Sequence, residues 1–136
     1  MNVRRLDVFF YGLFMDADAL RAKGLNPVNV RQAQVRGMAL RIGKRAALAE
    51  SPTSATYGIL MELTHAEIDK LYSEPSVEMY RPEAVRAELA DGSIVPALCF
   101  NLVTPSPDEA NPAYAASLRE LARKLGLPVH YTEMLG

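Results

Sequence analysis

The first half of the chain combines apolar runs that predict strands with a polar stretch that predicts a loop. Residues 6–11 form an apolar, aromatic-rich run ended by Gly12, which predicts a buried first strand that opens into a loop. Residues 28–42 alternate between apolar and polar positions, which indicates a strand pair or one bent strand. Residues 43–56 carry glycine, proline and serine with little periodicity, so we expect a long loop around a short strand at 46–49.

Three more strands are predicted further along the chain. Residues 57–63 have the apolar pattern of a strong strand. Residues 80–89 and 94–103 predict two strands joined at Asp91-Gly92, a pair that is typical of a hairpin turn.

Three segments predict helices. Residues 16–24 combine a capping aspartate, helix-forming residues and a terminating glycine. The spacing of Thr64 and Glu67 is that of a capping box, which predicts a helix that runs to about Tyr72. Residues 113–125 have apolar residues at helical spacing before a glycine, which predicts a final helix docked on the core.

The segments on either side of this final helix also carry structural signals. Pro105, Pro107 and Pro112 predict a stiff, extended connector. Residues 127–135 are apolar enough to be held down, either on the domain's own core or on a second copy in a homodimer, and the sequence leaves both open. The order of elements indicates an α+β class with a mainly non-helical centre, which a small curled sheet or barrel would satisfy.

Composition narrows the class of protein. A chain of 136 residues that is 49% apolar and 23% charged is typical of one self-folding domain, here residues 1–136. Fifteen Lys and Arg balance sixteen Asp and Glu and are spread along the chain, which argues against a nucleic-acid partner. The first apolar run is too short for a membrane span or an ordinary signal peptide, so we expect a cytoplasmic protein without a membrane partner.

The sequence offers little support for metal, cofactor or cysteine chemistry. Cys99 lies in an apolar run and is interpreted as a buried structural thiol. His65 and His130 are far apart and have no second ligand at metal spacing, so we expect no metal site. Glycine-rich phosphate loops are missing, so we expect no cofactor. If the protein is an enzyme, carboxylates and backbone groups must carry the chemistry.

Two features could supply that chemistry. The first loop after the opening strand could bind an anion or oxyanion through its backbone N–H groups, although an ordinary tight turn has the same pattern. The first loop consists of Tyr11, Gly12, Leu13 and Phe14. An acidic stretch could supply a general base, although solvated surface glutamates would look the same. It contains Glu74, Glu78 and Glu83.

The order of these pieces resembles the γ-glutamylcyclotransferase-like (AIG2-like) family. Its members open with an apolar strand and a Tyr-Gly loop, matched by residues 9–14. A glycine-containing strand then leads to a helix and a glutamate, matched by residues 57–60 and Glu74. The family ends with a tyrosine-bearing helix and Gly-Leu-Pro-x-x-Tyr, matched by Tyr114 and residues 126–131. The resemblance covers nearly the whole chain.

The resemblance implies a small twisted β-barrel flanked by helices and a cofactor-free reaction of the acyltransferase or lyase type. In that reaction the α-amine of a γ-glutamyl amide attacks the γ-carbonyl, which gives 5-oxoproline and a free amine. The resemblance also implies that Glu74 is the catalytic base, since its six-residue spacing to Tyr80 fits the family. Glu83, three residues after Tyr80, is kept as a second candidate. The first loop and Tyr80 would bind the substrate.

Three functions remain open from the sequence. One is a cyclotransferase that acts on a γ-glutamyl compound or a related amide. Another is a non-catalytic small-molecule binding or regulatory module on the same fold, since Leu13 and Phe14 replace the usual polar pair of the family and make the pocket more apolar. A carboxylate buried beside the first loop would favour the enzyme. The third is an interaction domain that acts through another surface.

Overall fold

The computed structural model of the chain describes residues 4–43, 46–75, 77–102 and 111–135. Within them the backbone forms five strands, β1 (Arg5–Phe10), β2 (Val28–Ile42), β3 (Ala46–Thr64), β4 (Tyr80–Leu89) and β5 (Ile94–Leu102). It also forms four α-helices, α1 (Ala17–Ala22), α2 (His65–Leu71), α3 (Pro112–Lys124) and α4 (Val129–Thr132).

The strands close into a barrel in the order β1, β3, β2, β4, β5. Neighbouring strands pair antiparallel except β1 and β5, which run parallel and meet at Val8 and Leu98. The helices contribute to a second core outside the barrel. The α+β class and the helix-flanked β-barrel expected from the sequence are therefore confirmed.

The second half of β1, Val8 to Phe10, is apolar on both faces because each face packs into a different core. Successive side chains of a strand point to opposite faces. Phe9 packs with Leu60 and Cys99 inside the barrel. Phe10 packs in the outer core with helix residues such as Leu20 and Leu118. The buried first strand predicted from this apolar run is confirmed.

The short strand expected at 46–49 is confirmed, whereas the loop expected after it, at residues 50–56, is wrong. β3 is one continuous strand from Ala46, and its first part pairs with the end of β2, for example Ala49 with Ala39. The register shifts between Arg36 and Met38, where Gly37 has a φ of +84°, so the long ribbon bends without ending. Pairing with β2 thus holds the strand on both sides of residues 51–54, where serine and proline carry little strand propensity.

The helix ends follow the capping pattern expected from the sequence. The Thr64 hydroxyl accepts the Glu67 N–H at 3.2 Å, and the Glu67 carboxylate accepts the Thr64 N–H at 2.8 Å, so the capping box of α2 is formed. The Asp16 carboxylate accepts the N–H groups of Asp18 and Ala19 and begins α1. Both helix starts are confirmed.

The prediction of an extended connector is wrong at its last proline, Pro112. Pro112 occupies the first turn of α3, where a residue without an N–H is tolerated. Pro105 and Pro107 lie outside the described residues, as does the last residue of the strand predicted at 94–103.

The C-terminal segment packs on the domain's own core, as one of the two sequence alternatives expected. Leu127, Tyr131 and Leu135 are buried in the outer core, and α4 lies among them. The homodimer alternative stays a prediction.

Candidate functional site

The first loop leaves the barrel at the end of β1. After Gly12 the chain makes a short 3-10 turn, Leu13–Met15, in which the Met15 N–H donates to the Gly12 carbonyl at 3.0 Å. The end of β1 that leads into this loop passes close above Gly58 of β3, where a Cβ atom would lie 2.1 Å from the Phe10 carbonyl oxygen. A side chain at position 58 would clash with this carbonyl oxygen, so only glycine there permits the path of β1.

A cavity of about 380 Å³ opens beside the first loop. One wall is continuous in sequence and consists of Phe9, Phe10, Tyr11, Gly12, Leu13 and Phe14. The other described lining residues come from separate parts of the chain and are Ala46, Tyr72, Val77, Tyr80, Phe100 and Tyr114. The structure thus brings together all five substrate-binding residues expected from the sequence, namely Tyr11, Gly12, Leu13, Phe14 and Tyr80.

Aromatic side chains are concentrated at this cavity. The chain has four phenylalanines, six tyrosines and no tryptophan. All four phenylalanines and four of the six tyrosines line the cavity. Pockets that bind small molecules are typically apolar and aromatic with a few placed polar groups.

The aromatic rings support one another. Tyr72 and Phe100 are stacked with ring centroids 3.9 Å apart, and Phe14 meets Tyr72 edge-on at 6.1 Å. Phe14 also meets Phe10 edge-on at 6.3 Å. Such stacked and edge-to-face pairs are favourable beyond the area they bury, so the wall is preformed.

The tyrosine hydroxyls of the cavity differ in whether their proton remains available for a hydrogen bond to a ligand. The Tyr11 hydroxyl donates to the Phe100 carbonyl at 2.9 Å, and the Tyr80 hydroxyl donates to the Ala46 carbonyl. The Tyr114 hydroxyl accepts the Leu13 N–H at 3.3 Å, which leaves its own proton for another acceptor. The Tyr72 hydroxyl has no hydrogen-bond partner among the described residues. Tyr72 and Tyr114 can therefore each donate one hydrogen bond to a ligand.

Burial keeps these phenols neutral. Loss of solvation raises the pKa of Tyr11, Tyr72 and Tyr114 above the ordinary value for tyrosine. At neutral pH they are hydrogen-bond donors and not bases.

The buried tyrosines predict a loss of stability at alkaline pH. Unfolded tyrosine ionises near pH 10, whereas the folded groups hold their protons to higher pH. Above pH 10 the unfolded chain therefore binds fewer protons, and the free energy of unfolding should fall, by about 2 kcal/mol or more at pH 11. Urea unfolding followed by circular dichroism at pH 8, 9 and 11 measures this. Equal midpoints at pH 9 and 11 would show that the phenols are not held neutral by the fold.

Glu74 lies outside the described lining of the cavity. Its carboxylate pairs with the Lys23 ammonium at the end of α1, with 2.8 Å between Oε1 and Nζ. The two side chains are 35% and 38% exposed, so this is a partly solvated surface pair. The role of Glu74 as a catalytic base stays a prediction.

Glu83, the second candidate, also lies outside the described lining. It is exposed on β4, and its Oε1 accepts from the Asn101 amide at 3.2 Å. Among the described residues that line the cavity, none carries a carboxylate. The structure therefore groups the expected binding residues together and leaves both expected bases apart from them.

Asn101 joins strands β5 and β3 and contacts the Tyr11 hydroxyl. Its side chain accepts the Leu48 N–H and donates to the Leu48 carbonyl, each at 2.9 Å, so it joins β5 to β3 like a strand neighbour. The Tyr11 hydroxyl also lies 3.3 Å from its carbonyl oxygen. Both anchors of Tyr11, Asn101 and the Phe100 carbonyl, come from β5.

Cys99 behaves as the structural thiol expected from the sequence. It is buried inside the barrel, and burial together with the nearby Glu83 raises its pKa to about 12. A thiol with so high a pKa is protonated at neutral pH and is not a nucleophile.

Sequence reasoning did not select Tyr72 or Phe100 as site residues. Tyr72 caps the C-terminal end of α2 directly after the buried Leu71, so its position was predicted while the direction of its ring was not. A usable signal was the spacing of Ile68, Leu71 and Tyr72, which places the three on one face of a helix. Phe100 lies in an apolar run that gives no comparable signal.

Metal-ligating side chains are scattered in the described part of the chain, which contains no cluster of three or more His, Cys, Asp or Glu that could hold a metal ion. None of the helices described is both long and apolar enough to cross a membrane.

Comparison with known proteins places these features in a family. The family described as "Gamma-glutamyl cyclotransferase, AIG2-like" matches residues 8–117. A search of curated proteins finds no match.

Solved structures share the fold. A protein titled "Gamma-glutamyl cyclotransferase" aligns with a TM-score of 0.82 and 17% identity over 97% of this chain and 86% of its own. YkqA from Bacillus subtilis aligns with a TM-score of 0.79 and 26% identity over 97% of this chain and 53% of its own. An AIG2-like protein from mouse aligns with a TM-score of 0.60 and 15% identity over 94% of this chain and 87% of its own. The chain belongs to the gamma-glutamyl cyclotransferase, AIG2-like family.

Proposed function

We propose that this protein is a small-molecule binding module of its family, which holds an amide in the aromatic cavity beside the first loop and does not cyclise it. The observation that carries the proposal is the convergence of eight of the ten aromatic side chains of the chain on this one cavity. A preformed aromatic pocket with a few hydrogen-bond donors is suited to holding a small ligand in one orientation.

Cyclisation would ask more of the site than binding does. The α-ammonium of a γ-glutamyl amide must lose a proton before its nitrogen can attack, and the leaving amine must gain one, so a group that titrates near neutral pH has to touch the substrate. The cavity tyrosines are neutral donors, and Glu74 is paired with Lys23 outside the described lining. These positions support binding better than proton transfer.

Tyrosine fluorescence reports on this proposal directly. Because the chain lacks tryptophan and four of its six tyrosines line the cavity, a ligand that enters should change the intrinsic emission. Titration with γ-glutamyl amines, γ-glutamyl dipeptides and simple amides should give saturable changes for at least one compound, with no 5-oxoproline detected by mass spectrometry. A panel that produces no saturable change would overturn the proposal.

A second candidate function is γ-glutamyl cyclotransferase activity, which membership of the family favours. One feature of the structure also favours it: Glu74 lies in sequence between Tyr72 and Val77, both of which line the cavity. A movement of this segment that broke the pair with Lys23 would be needed to bring the carboxylate to a substrate. Release of 5-oxoproline separates the two candidates.

A further inference from the structure

The hydroxyl groups and the charges around the cavity indicate which class of amide it holds. Resting on the proposed function, we infer that the ligand is an uncharged amide that carries an aromatic ring, and not the zwitterionic γ-glutamyl group. The ring would pack against the aromatic wall, and the amide carbonyl would accept hydrogen bonds from the Tyr72 and Tyr114 hydroxyls.

The described lining of the cavity offers no charged side chain to a ligand. The carboxylate of Glu74 is paired with Lys23, that of Glu83 accepts from Asn101, and neither residue is among the described lining. A γ-glutamyl head carries an α-ammonium and an α-carboxylate, and burying a charge without a partner is costly. An uncharged ligand avoids that cost.

Two tyrosine hydroxyls in the cavity have a proton to donate. The Tyr72 hydroxyl has no partner among the described residues, and the Tyr114 hydroxyl uses only its acceptor side, toward the Leu13 N–H. Both groups can therefore donate to an acceptor on the ligand. An amide carbonyl has two lone pairs and can accept from both.

The aromatic wall favours a planar ring. Phe14, Tyr72 and Phe100 form a connected set of stacked and edge-on rings at the cavity. A ring added to such a set gains the same edge-to-face and offset contacts, whereas an aliphatic chain gains only the apolar burial. A volume of about 380 Å³ admits one ring together with its amide.

A matched pair of ligands tests the inference on the wild-type protein. N-benzylbutanamide and γ-glutamylbenzylamide share the benzyl amide and differ only by the α-amino and α-carboxyl groups. Isothermal titration calorimetry at pH 7 should give a dissociation constant about tenfold lower, or better, for N-benzylbutanamide. Equal affinity, or tighter binding of γ-glutamylbenzylamide, would overturn the inference and leave the binding function intact.

The remaining outcomes of the same titrations bear on the proposed function itself. If neither compound binds, the inference fails, and the binding function then depends on the wider panel of amides. If γ-glutamylbenzylamide is converted to 5-oxoproline and benzylamine, the non-catalytic proposal fails and so does this inference.

A conservative variant tests the hydroxyl donor. Tyr72→Phe keeps the stacked ring and removes only the hydroxyl, so N-benzylbutanamide should bind about two- to tenfold more weakly. Tyr57→Phe is the matched control, because Tyr57 packs on His130 and Tyr131 away from the cavity and should bind like the wild type. Unchanged affinity for Tyr72→Phe would remove Tyr72 from the proposed contacts.

Discussion

Gly58→Ala is expected to destabilise the folded protein by about 4 kcal/mol or more, or to prevent folding. The added methyl group would lie 2.1 Å from the Phe10 carbonyl oxygen and 2.9 Å from the Phe9 ring. A backbone carbonyl cannot turn aside as a side chain can, so the end of β1 would have to leave β3. Urea unfolding followed by circular dichroism measures the loss.

Gly92→Ala is the control for this experiment. Gly92 has a φ of +88°, and a methyl group added there would meet no atom within 4 Å beyond its chain neighbours, so the cost is backbone strain alone, about 1 kcal/mol. If Gly58→Ala unfolds within about 1 kcal/mol of the wild type, β1 does not pass over Gly58 as described.

Gly12→Ala is expected to weaken ligand binding about tenfold or more while leaving the fold stable. Gly12 has a φ of −109°, which any residue adopts, so the backbone tolerates alanine. The new methyl group would lie 2.7 Å from the Tyr114 hydroxyl oxygen, which must move away from the Leu13 N–H and from the ligand. Calorimetric titration with N-benzylbutanamide gives the affinity, and urea unfolding checks the fold.

Tyr114→Phe tests whether the effect arises from that hydroxyl. Alone, it should weaken binding about two- to tenfold because one donor is lost. In combination with Gly12→Ala it removes the oxygen that the methyl group strikes, so the double variant should bind no more weakly than Tyr114→Phe alone, with a coupling energy of about 1 kcal/mol or more. Additive losses would show that Gly12 acts through some other contact.

Patterns local in sequence predicted most of the fold. The apolar run before Gly12, the Thr64 to Glu67 capping box and the Asp91-Gly92 turn each depend on neighbouring residues, and the structure contains all three elements. The loop predicted at residues 50–56 was wrong because serine and proline have weak strand propensity, whereas β3 continues there between two parts that pair with β2.

The site was predictable only in part for a similar reason. The first loop follows directly from the end of β1, so Tyr11 to Phe14 could be placed at a cavity from sequence. The ring of Tyr72 lines the cavity and stacks on Phe100, which lies 28 positions later in the sequence. The Glu74 carboxylate pairs with Lys23 at the end of α1, 51 positions earlier. Contacts between residues so distant in sequence have no local pattern.

The described lining of the cavity is the basis of the proposed binding function. A carboxylate buried beside the first loop would have favoured an enzyme, whereas the cavity presents neutral phenols and aromatic faces among its described residues. The family membership is compatible with both functions. The two functions differ in whether the γ-glutamyl amide bond is broken, and the release of 5-oxoproline measures this.

The non-catalytic function is tested most directly by the release of 5-oxoproline from γ-glutamylbenzylamide. The wild-type protein and Glu74→Gln are each incubated with a stoichiometric amount of the compound, and 5-oxoproline is measured by mass spectrometry. Glu74→Gln keeps the size and hydrogen bonding of the side chain but cannot accept a proton, and Glu83→Gln serves as the matched control. For a binding module, neither wild type nor variants should release 5-oxoproline faster than the buffer alone. Turnover by the wild type that falls about 10² to 10⁴-fold in Glu74→Gln and not in Glu83→Gln would contradict this and establish Glu74 as the base of a cyclotransferase.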